Sequence, residues 1–341
     1  MIKNKKILIV GAGGFIGGHL VKKLLNDGNS IVASDIKPKE YWFQDIDEAE
    51  NHYTMDMKDI NNCRKVTKGV DYVFNMACNM GGMGFIENNK AECMQSVLIN
   101  TNLLIACKED KVKKYFFSSS ACAYNKSKQQ DVFIEGLKEQ DAYPADPEDG
   151  YGWEKLFSER MCRHFYEDFG IETRVARYHN VYGPYGTFDG GREKAPAAIC
   201  RKIIDAKLKN KDAIDVWGDG KQTRSFLYID DCIDGTLKLF NSDFREPLNI
   251  GSDEQVSINQ LIDIAEKISG IKVKKNYQLD KPKGVRGRSS NNDKLKEVLQ
   301  WNYSVKLQDG IKKTYSWIYD NMIRNDPDSM KFTKADLKNI K

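Results

Sequence analysis

The sequence predicts an α/β protein in which a doubly wound parallel sheet is joined to a smaller mixed α/β lobe. Two observations indicate this fold class. In the first half of the chain, short runs of β-branched and aromatic residues alternate with stretches long enough for a helix, as in parallel strands joined by right-handed crossovers. A glycine-rich turn directly follows the first of these runs, where such sheets usually begin.

The strands of this sheet are predicted from five short apolar runs. They cover residues 7–10, 30–34, 72–75, 114–118 and 174–177, and a weaker strand-like run precedes Asp56. A helix is expected at 18–26, after the glycine-rich turn. Beyond the fifth run the pattern loosens into a Gly/Pro-rich stretch at 182–191, which we expect to be a loop.

The second half of the chain mixes helices with short strands. Ser257 and Gln260 have the spacing of a capping box and predict a helix start, and an amphipathic helix is expected at about 307–322. We therefore divide the chain into a sheet domain at 1–180, a lobe formed mainly by 181–323 with some segments returning to the main sheet, and a polar tail at 324–341.

Composition and charge exclude several classes of protein. The chain has 341 residues, 40% hydrophobic and 30% charged, which is typical of a globular protein with one large or two modest domains. The 53 basic and 49 acidic residues nearly cancel, so no nucleic-acid surface is indicated. Neither a membrane span nor a signal-like start is found, and a cytoplasmic location is predicted. The eight widely spaced cysteines predict no metal site and no disulfide framework.

The glycine-rich turn has the spacing of a dinucleotide-binding motif, in which glycines allow a tight turn, close approach to a pyrophosphate and close helix packing. An ordinary tight turn is the alternative. Asp35 ends the second predicted strand, 18 residues after Gly17, and a carboxylate there can bind both ribose hydroxyls. A Rossmann-like domain that binds NAD is therefore predicted, with cofactor contacts from Gly11, Gly14, Phe15, Ile16, Gly17, Asp35, Asp56, Tyr151 and Lys155.

Two of these contacts bear on cofactor choice and adenine binding. Asp35 would repel a 2′-phosphate and favour NAD over NADP, whereas Lys37 and Lys39 would weaken that preference. Asp56 is placed for a contact with the adenine edge, and a solvated loop carboxylate is the alternative.

Three residues predict hydride-transfer chemistry beside this cofactor. Tyr151 and Lys155 are one helical turn apart, so the ammonium, together with a positive nicotinamide, is expected to lower the pKa of the phenol and make it a base. Ser120 ends the fourth predicted strand, where a hydroxyl can bridge a substrate oxygen to the phenol. A solvent-facing pair is the alternative for the Tyr/Lys spacing alone.

This set of residues resembles the extended short-chain dehydrogenase/reductase superfamily, whose members oxidise and reduce hydroxyls of nucleotide sugars. Longer segments resemble the GDP-mannose 3,5-epimerase family within it, and the matches run to about residue 322. They are 79–85 (NMGGMGF), 119–122 (SSAC), 178–180 (YHN), 190–198 (GGREKAPAA), 217–226 (WGDGKQTRSF), 243–252 (DFREPLNIGS) and 284–288 (GVRGR).

Cys122 distinguishes the chain from a plain 4-epimerase. Inverting C3 and C5 of a sugar needs an acid/base on each face of the ring, and a thiol two residues after Ser120 can be one of them. A buried structural cysteine is the alternative. The resemblance implies Lys194 as the second group, in a reaction that converts GDP-mannose to GDP-L-galactose through a transient 4-keto sugar. Early reduction after one inversion would give a GDP-gulose.

The resemblance also implies a homodimer, formed by two helices from each subunit, and a set of substrate contacts. For Arg224 and Arg286 a surface ion pair is the alternative, and His179 is expected to be structural. The implied contacts are Gly81, Gly82, Met83, Ser120, Ala121, Cys122, Asn180, Glu193, Lys194, Lys202, Gln222, Arg224 and Arg286.

Two departures from the family pattern keep other functions open. Asn79 stands where an aspartate is common, and 123–125 also departs from the pattern, so a GDP-heptose or a GDP-6-deoxysugar is an alternative substrate. A GDP-4-keto-6-deoxymannose 3,5-epimerase-reductase would use NADPH, which Asp35 disfavours. A 4,6-dehydratase would have an acidic pair in place of Ala121 and Cys122. A non-catalytic nucleotide-binding regulator would lack the Ser–Tyr–Lys set.

Overall fold

The computed structural model describes residues 2–46, 49 and 51–324. The predicted polar tail therefore lies, apart from Arg324, outside the described residues. No helix in the described ranges is both long and apolar enough to cross a bilayer.

The described residues form fourteen strands and eleven α-helices. The strands are β1 (Lys6–Val10), β2 (Ser30–Asp35), β3 (Asn51–Thr54), β4 (Tyr72–Asn75), β5 (Lys114–Ser120), β6 (Glu172–Tyr178), β7 (Val181–Tyr182), β8 (Ala213–Trp217), β9 (Thr223–Ser225), β10 (Leu227–Tyr228), β11 (Leu248–Ile250), β12 (Gln255–Ser257), β13 (Lys274–Gln278) and β14 (Gly287–Arg288). The helices are α1 (Phe15–Asn26), α2 (Ile60–Val66), α3 (Met83–Asn88), α4 (Lys90–Met94), α5 (Ser96–Glu109), α6 (Asp149–Phe169), α7 (Ala195–Leu208), α8 (Ile229–Asn241), α9 (Ile258–Ser269), α10 (Asp293–Leu299) and α11 (Leu307–Ile323).

Seven of these strands form the central parallel sheet, in the order β11-β6-β5-β4-β1-β2-β3. The chain proceeds from β1 to β2 and β3 in one direction, then crosses to β4 and continues through β5 and β6 in the other. In open α/β sheets, ligands bind at the carboxyl ends of the strands where the order reverses, which here is between β1 and β4. The predicted doubly wound parallel sheet is thereby confirmed.

Both faces of the sheet are buried, which explains why its strands are nearly continuous apolar runs. Side chains alternate along β1: Ile7 and Ile9 pack into one core, while Leu8 and Val10 pack into the other. The first core includes residues of α1, α7, α8, α9 and α11, and the second includes residues of α2, α5 and α6. Helices therefore cover the sheet on two sides and fix the position of its carboxyl edge.

The element bounds differ from the sequence prediction at functional positions. The first helix begins at Phe15 rather than Gly18, so the glycine-rich turn leads directly into helix. The strand that ends at Ser120 is the fifth in chain order, not the fourth, because the weak run before Asp56 forms β3. The capping box at the start of α9 is confirmed, since Ser257 and Gln260 each accept a hydrogen bond from the other's backbone N–H.

The remaining strands form small sheets of the second half. They are the pairs β10-β7 and β13-β8 and the three-stranded sheet β12-β9-β14. Strand β11 returns to the main sheet beside β6. The exact division at residue 180 stays a prediction.

Candidate active site

The glycine-rich turn places the start of α1 at the carboxyl edge of the sheet. Gly11 has a φ of +83°, a left-handed conformation that favours glycine, and a Cβ on Gly17 would collide with the Gly11 carbonyl. Gly14 caps α1 without a side-chain hydrogen bond. The N-terminal amides of α1 are thus left for an anion such as a pyrophosphate.

Asp35 closes the same end of the sheet beside this turn. Its carboxylate accepts hydrogen bonds from the backbone N–H groups of Gly13 at 2.9 Å and Lys37 at 2.8 Å. Burial raises the pKa of Asp35, while Lys37 and the neighbouring amides act in the opposite direction. The carboxylate is therefore fixed in place at the site where a ribose is expected.

A cavity of about 560 Å³ runs along the carboxyl edge of the sheet. Two of the predicted catalytic residues, Ser120 and Lys194, line it together with predicted cofactor contacts. The predicted cofactor contacts in the lining are Gly11, Gly14, Phe15, Ile16, Gly17, Asp35, Asp56 and Tyr151. The structure thus brings eight of the nine predicted cofactor residues and part of the predicted catalytic set to one cavity, and Lys155 is not among the lining residues.

Helix α6 carries Tyr151 and Lys155 on its buried face. Tyr151 is 5% exposed and Lys155 is fully buried. The Lys155 ammonium nitrogen lies 5.5 Å from the centre of the Tyr151 ring and 4.7 Å from that of Phe117 on β5. The two side chains share one face, as the spacing predicted.

Lys155 provides the test of whether the site fits a dinucleotide. Its nitrogen is 3.4 Å from the Glu154 carboxylate, yet it makes no hydrogen bond within the described part of the chain. A buried ammonium without hydrogen bonds is costly, and a ribose with two hydroxyls would satisfy it. Together with Asp35 and the open N-terminus of α1, this ammonium, which is ion-paired with Glu154 but has N–H groups left to donate, fits NAD.

The protein groups alone do not make Tyr151 a base. Burial raises the pKa of Tyr151, the Cys78 and Cys122 thiols and Glu154 raise it further, and a hydrogen bond with Ser120 acts in the opposite direction. Lys155 keeps a raised pKa because the Cys78 and Glu154 side chains outweigh the effect of its burial. The predicted lowering at Tyr151 therefore depends on the nicotinamide charge as well as on Lys155.

A buried ion pair fixes α6 against the sheet behind this site. Arg177 on β6 binds the Glu159 carboxylate with two nitrogens, at 2.8 and 2.6 Å, and the Ser119 hydroxyl donates to the same carboxylate. Glu159 lies one turn beyond Lys155 on α6. The pair therefore sets the position of Tyr151 and Lys155 relative to the end of β5.

Cys122 lies in a short turn after β5 and is half-buried. It packs against the small cluster that contains Tyr151. Its sulfur accepts a hydrogen bond from Arg288 at 3.2 Å, and the Ser120 hydroxyl oxygen accepts one from its backbone N–H at the same distance. Cys122 thus adjoins the cavity although it is absent from the lining residues.

Lys194 lies just before α7 and faces the same region. Burial lowers the pKa of Lys194, and the Cys122 and Cys78 thiols are close enough to act against that lowering. Its loop is fixed by Arg192, whose guanidinium donates to the Asn79 side chain at 3.2 Å and the Met80 carbonyl at 3.0 Å. The structure thus places an ammonium and a thiol near Tyr151, as the sequence predicted.

Several predicted substrate contacts lie at the edge of this region. The Gly82 N–H donates to the Arg192 carbonyl at 3.1 Å, so the loop 81–83 is attached to the loop that carries Lys194. Ala121 is buried beside Cys122. Asn180 has a φ of +39°, which asparagine tolerates, and its side chain donates to the Ser225 carbonyl.

Other predicted contacts are engaged with the protein itself. The Glu193 carboxylate accepts the Gly191 N–H at 2.7 Å, and Lys202 donates to the Asp215 carbonyl. Gln222 donates to the Trp217 carbonyl, while its buried carbonyl oxygen has no partner among the described residues. Their roles toward a substrate stay predictions.

The two predicted arginines differ in their surroundings. Arg286 forms an ion pair with Asp219, with both N···O distances between 3.1 and 3.2 Å, and is partly exposed. Arg224 is buried and donates to the carbonyls of Thr223 and Val285. Burial, together with the neighbouring Arg288, lowers the pKa of Arg224 to about 10.

Two residues beside the site complete the comparison with the sequence prediction. Arg288, which the prediction missed, donates to the Cys122 sulfur, whereas the predicted Arg286 donates to Asp219. The signal for Arg288 was the GVRGR segment, in which only one arginine was selected. His179 is buried, shares a hydrogen bond with Asn249 at 2.9 Å and has a pKa lowered by burial to about 3, which agrees with a structural role.

The chain belongs to the NAD dependent epimerase/dehydratase family, whose model matches residues 7–251. It is 47% identical over 323 residues to GDP-mannose 3,5-epimerase of Arabidopsis thaliana, covering 94% of this chain and 84% of the relative. It is 48% identical over 318 residues to GDP-mannose 3,5-epimerase 1 of Oryza sativa subsp. japonica, covering 93% and 82%. The family resemblance is thereby confirmed.

A solved structure supports the same assignment. UDP-glucuronic acid 4-epimerase from Bacillus cereus, in complex with UDP-glucuronic acid and NAD, has a TM-score of 0.78 at 29% identity and covers 93% of this chain and 99% of its own. The predicted use of NAD agrees with the family and with this neighbour.

Proposed function

We propose that the protein is an NAD-dependent isomerase that converts GDP-mannose to GDP-L-galactose by inverting C3 and C5. The observation that carries the proposal is the identity of 47% to 48% with two proteins named GDP-mannose 3,5-epimerase over more than nine-tenths of the chain. The site supports it, because a thiol and an ammonium accompany the Ser–Tyr–Lys set.

The first stage oxidises C4 of the sugar. When bound, NAD accepts a hydride from C4 and later returns it. Tyr151 takes the proton of the C4 hydroxyl, and Ser120 donates a hydrogen bond to the same oxygen. Lys155 binds the ribose and its charge stabilises the phenolate. The resulting 4-keto sugar has acidified hydrogens on C3 and C5.

The second stage inverts the two neighbouring carbons. Cys122 removes a proton from one face of C5 and Lys194 returns a proton on the other. Exchange with solvent then takes the proton from Cys122 and restores one to Lys194, so that the same pair inverts C3. The pKa of Lys194, lowered by burial, makes its ammonium a better proton donor near neutral pH. Tyr151 then returns its proton to the C4 oxygen, so the reaction has no net oxidation or reduction.

We assign binding of the GDP-sugar to residues on and around loop 81–83 and the loop that carries Lys194. Guanidinium groups suit a diphosphate, and Arg224 and Arg286 lie in the lobe that follows the sheet domain. The proposed contacts are Gly81, Gly82, Met83, Ala121, Asn180, Glu193, Lys202, Gln222, Arg224 and Arg286.

Turnover of GDP-mannose by the purified protein tests this proposal. We expect conversion to GDP-L-galactose without added cofactor, because the NAD is regenerated in each cycle and is expected to remain bound. Products can be identified by NMR of the sugar. A requirement for stoichiometric NADPH would contradict the proposal and indicate an epimerase-reductase. No conversion of GDP-mannose alongside turnover of another GDP-sugar would contradict the substrate.

NAD is expected to support the reaction at least about tenfold better than NADP, because the fixed Asp35 carboxylate would face a 2′-phosphate. Lys37 lines the same part of the cavity and limits the size of the preference. The measurement is the activity of apo-protein reconstituted with each cofactor, with Asp35→Asn expected to reduce the ratio. Equal activity with both cofactors would show that Asp35 does not select between them.

A homodimer is part of the proposal, supported by an exposed apolar surface on α4, α5 and α6. Met94, Leu98, Trp153 and Phe157 are each 44% to 52% exposed. Met94 and Leu98 are one helical turn apart in sequence spacing, as are Trp153 and Phe157. A Cβ on Gly150 would lie 2.7 Å from Met94, so the two pairs belong to adjoining elements. Burying such a surface against a second copy would stabilise a dimer.

Phe157→Glu is expected to convert the dimer to a monomer, because it would bury an unpaired charge in the interface. Light scattering at micromolar concentration measures the change. Phe133→Glu is the matched control, since Phe133 is 75% exposed and lies on a loop outside this surface. A monomeric parent protein would contradict the homodimer.

The cytoplasmic location predicted from the sequence also stays part of the proposal. The half-buried Cys122 thiol must remain reduced to exchange protons, and a reducing compartment keeps it so.

A further inference from the structure

The side chain of Glu148 has an unusual partner for its place in the chain. Glu148 is the N-cap residue of α6, but its carboxylate caps no helix N–H. Instead it accepts a hydrogen bond from Arg288 on β14 at 2.9 Å, and the two side chains are 15% and 4% exposed. This carboxylate therefore serves a contact between distant parts of the chain rather than the start of its own helix.

Arg288 uses its three kinds of nitrogen on three different partners. Nε donates to the Gln129 side chain at 2.6 Å, Nη2 donates to Glu148, and Nη1 donates to the sulfur of Cys122. Among these three partners Glu148 is the carboxylate. Glu148, the buried Arg288 and the half-buried Cys122 are thus joined by a continuous series of hydrogen bonds that ends on the thiol.

Charge around the thiol makes the carboxylate necessary. Arg224 and Arg288 are register partners on the parallel strands β9 and β14, so two guanidinium groups lie side by side near Cys122. Without a balancing carboxylate, two buried cations would stabilise the thiolate form of the sulfur. The more strongly a thiolate is stabilised, the weaker a base it is. Glu148 offsets one of these charges.

We propose that Glu148 is a positioning residue that fixes Arg288 against Cys122 and, by offsetting the arginine charge, sets the pH range over which the thiol exchanges its proton. The proposal deepens the proposed function, because it rests on the acid/base role assigned there to Cys122. It assigns Glu148 no contact with the substrate.

Other charged or titratable groups lie near Glu148 and Cys122, on the elements packed against these two residues. On the side of Glu148, Glu87 of α3 and Asp149 of α6 lie near the carboxylate, and Lys90 of α4 is paired with Asp149 at 3.0 Å. The groups that face Cys122 are Cys78 after β4, Tyr151 on α6, Lys194 before α7, Arg224 on β9 and Arg288 on β14.

Glu148→Gln tests the proposal, because glutamine keeps an oxygen that can accept the Arg288 hydrogen bond but removes the charge. The measurement is the rate of alkylation of Cys122 by iodoacetamide as a function of pH, without substrate. The tryptic peptide 115–126 contains Cys122 as its single cysteine, so mass spectrometry resolves this thiol from the others. We expect the pH of half-maximal rate to fall by about one unit relative to the parent protein.

Asp149→Asn is the matched control. Asp149 adjoins Glu148, is similarly buried at 18% exposed, and has a φ of +53° that asparagine also adopts. It pairs with Lys90 instead of Arg288, so its loss should move the pH of half-maximal alkylation by less than about 0.2 units. Glu148→Asp, which keeps the charge, should lie closer to the parent protein than Glu148→Gln does.

Three results would overturn the proposal: an unchanged pH of half-maximal alkylation in Glu148→Gln, an increase in it, or an equal decrease in Asp149→Asn. The pH profile of kcat separates this proposal from the proposed function. Its acidic limb should move with the alkylation curve in Glu148→Gln. If alkylation shifts as expected but GDP-mannose is not converted by the parent protein, the link from Glu148 to Cys122 stands and the assigned reaction fails.

Discussion

Tyr151→Phe is expected to lower kcat with GDP-mannose by about 10²- to 10⁴-fold, because it removes the hydroxyl assigned to take the C4 proton. Without the 4-keto sugar, the hydrogens on C3 and C5 are not acidic. In heavy water the recovered sugar should therefore contain no deuterium on carbon. Initial rates and NMR of the recovered sugar measure both effects.

Tyr115→Phe is the matched control for this variant. The Tyr115 hydroxyl is also buried, donates to Asn100 at 2.8 Å and accepts from Asn75 at 3.0 Å, but it does not line the cavity. Its loss should cost about 1 kcal/mol of stability and leave kcat within about twofold. Deuterium on carbon in the Tyr151→Phe product would contradict the assignment of Tyr151 as the base at C4.

Cys122→Ala is expected to keep oxidation at C4 and lose inversion, with product formation reduced by about 10²- to 10⁴-fold. The variant should still reach the 4-keto sugar, because Tyr151, Lys155 and Ser120 are intact. The 4-keto sugar or reduced cofactor should then accumulate, with at most slow exchange of deuterium at C5. Absorbance of the reduced cofactor and NMR of the sugar distinguish this defect from that of Tyr151→Phe.

Cys93→Ala is the control for loss of a thiol. Cys93 is fully buried in the small cluster that contains Tyr151 and against which Cys122 packs, and burial raises the pKa of Cys93 to about 11. Its removal should affect stability and leave exchange at C5 unchanged. If Cys122→Ala forms product and exchanges deuterium at the parent rate, Cys122 is a structural thiol and the assignment of a 3,5-epimerase mechanism to it is wrong.

The sequence predicted the central sheet because its signals are local. Strand β1 buries both faces, so its apolar run is continuous, and β4 was predicted with its exact bounds. The start of α1 was less accurate, since Gly17 and Gly18 have poor intrinsic helix propensity. There the close approach of α1 to the turn requires glycine, and tertiary structure outweighs the local preference.

The site was predictable where chain spacing determines geometry. Tyr151 and Lys155 share a helix face because they are four residues apart, and Ser120 and Cys122 adjoin because they are two apart. Arg288 could not be selected over Arg286 in this way. The arginines lie on opposite sides of Gly287 in the chain, and β14 has only two residues, so its orientation depends on pairing with the distant β9.

The pKa of Tyr151 illustrates a second limit of prediction from the sequence. A lysine four residues away predicts stabilisation of the phenolate, but burial acts more strongly in the opposite direction, and the spacing contains no information on burial. The Glu148–Arg288 contact was likewise unpredictable, because it joins residues 140 positions apart in the chain.

Incubation of the parent protein with GDP-mannose in heavy water tests the central claim most directly. If Cys122 and Lys194 exchange protons at both carbons next to a transient C4 ketone, NMR should show deuterium at C3 and C5 of the GDP-L-galactose formed. C4 should keep its original hydrogen, because that hydrogen leaves and returns as hydride. Conversion of GDP-mannose to a product without deuterium at C3 and C5 would contradict the account.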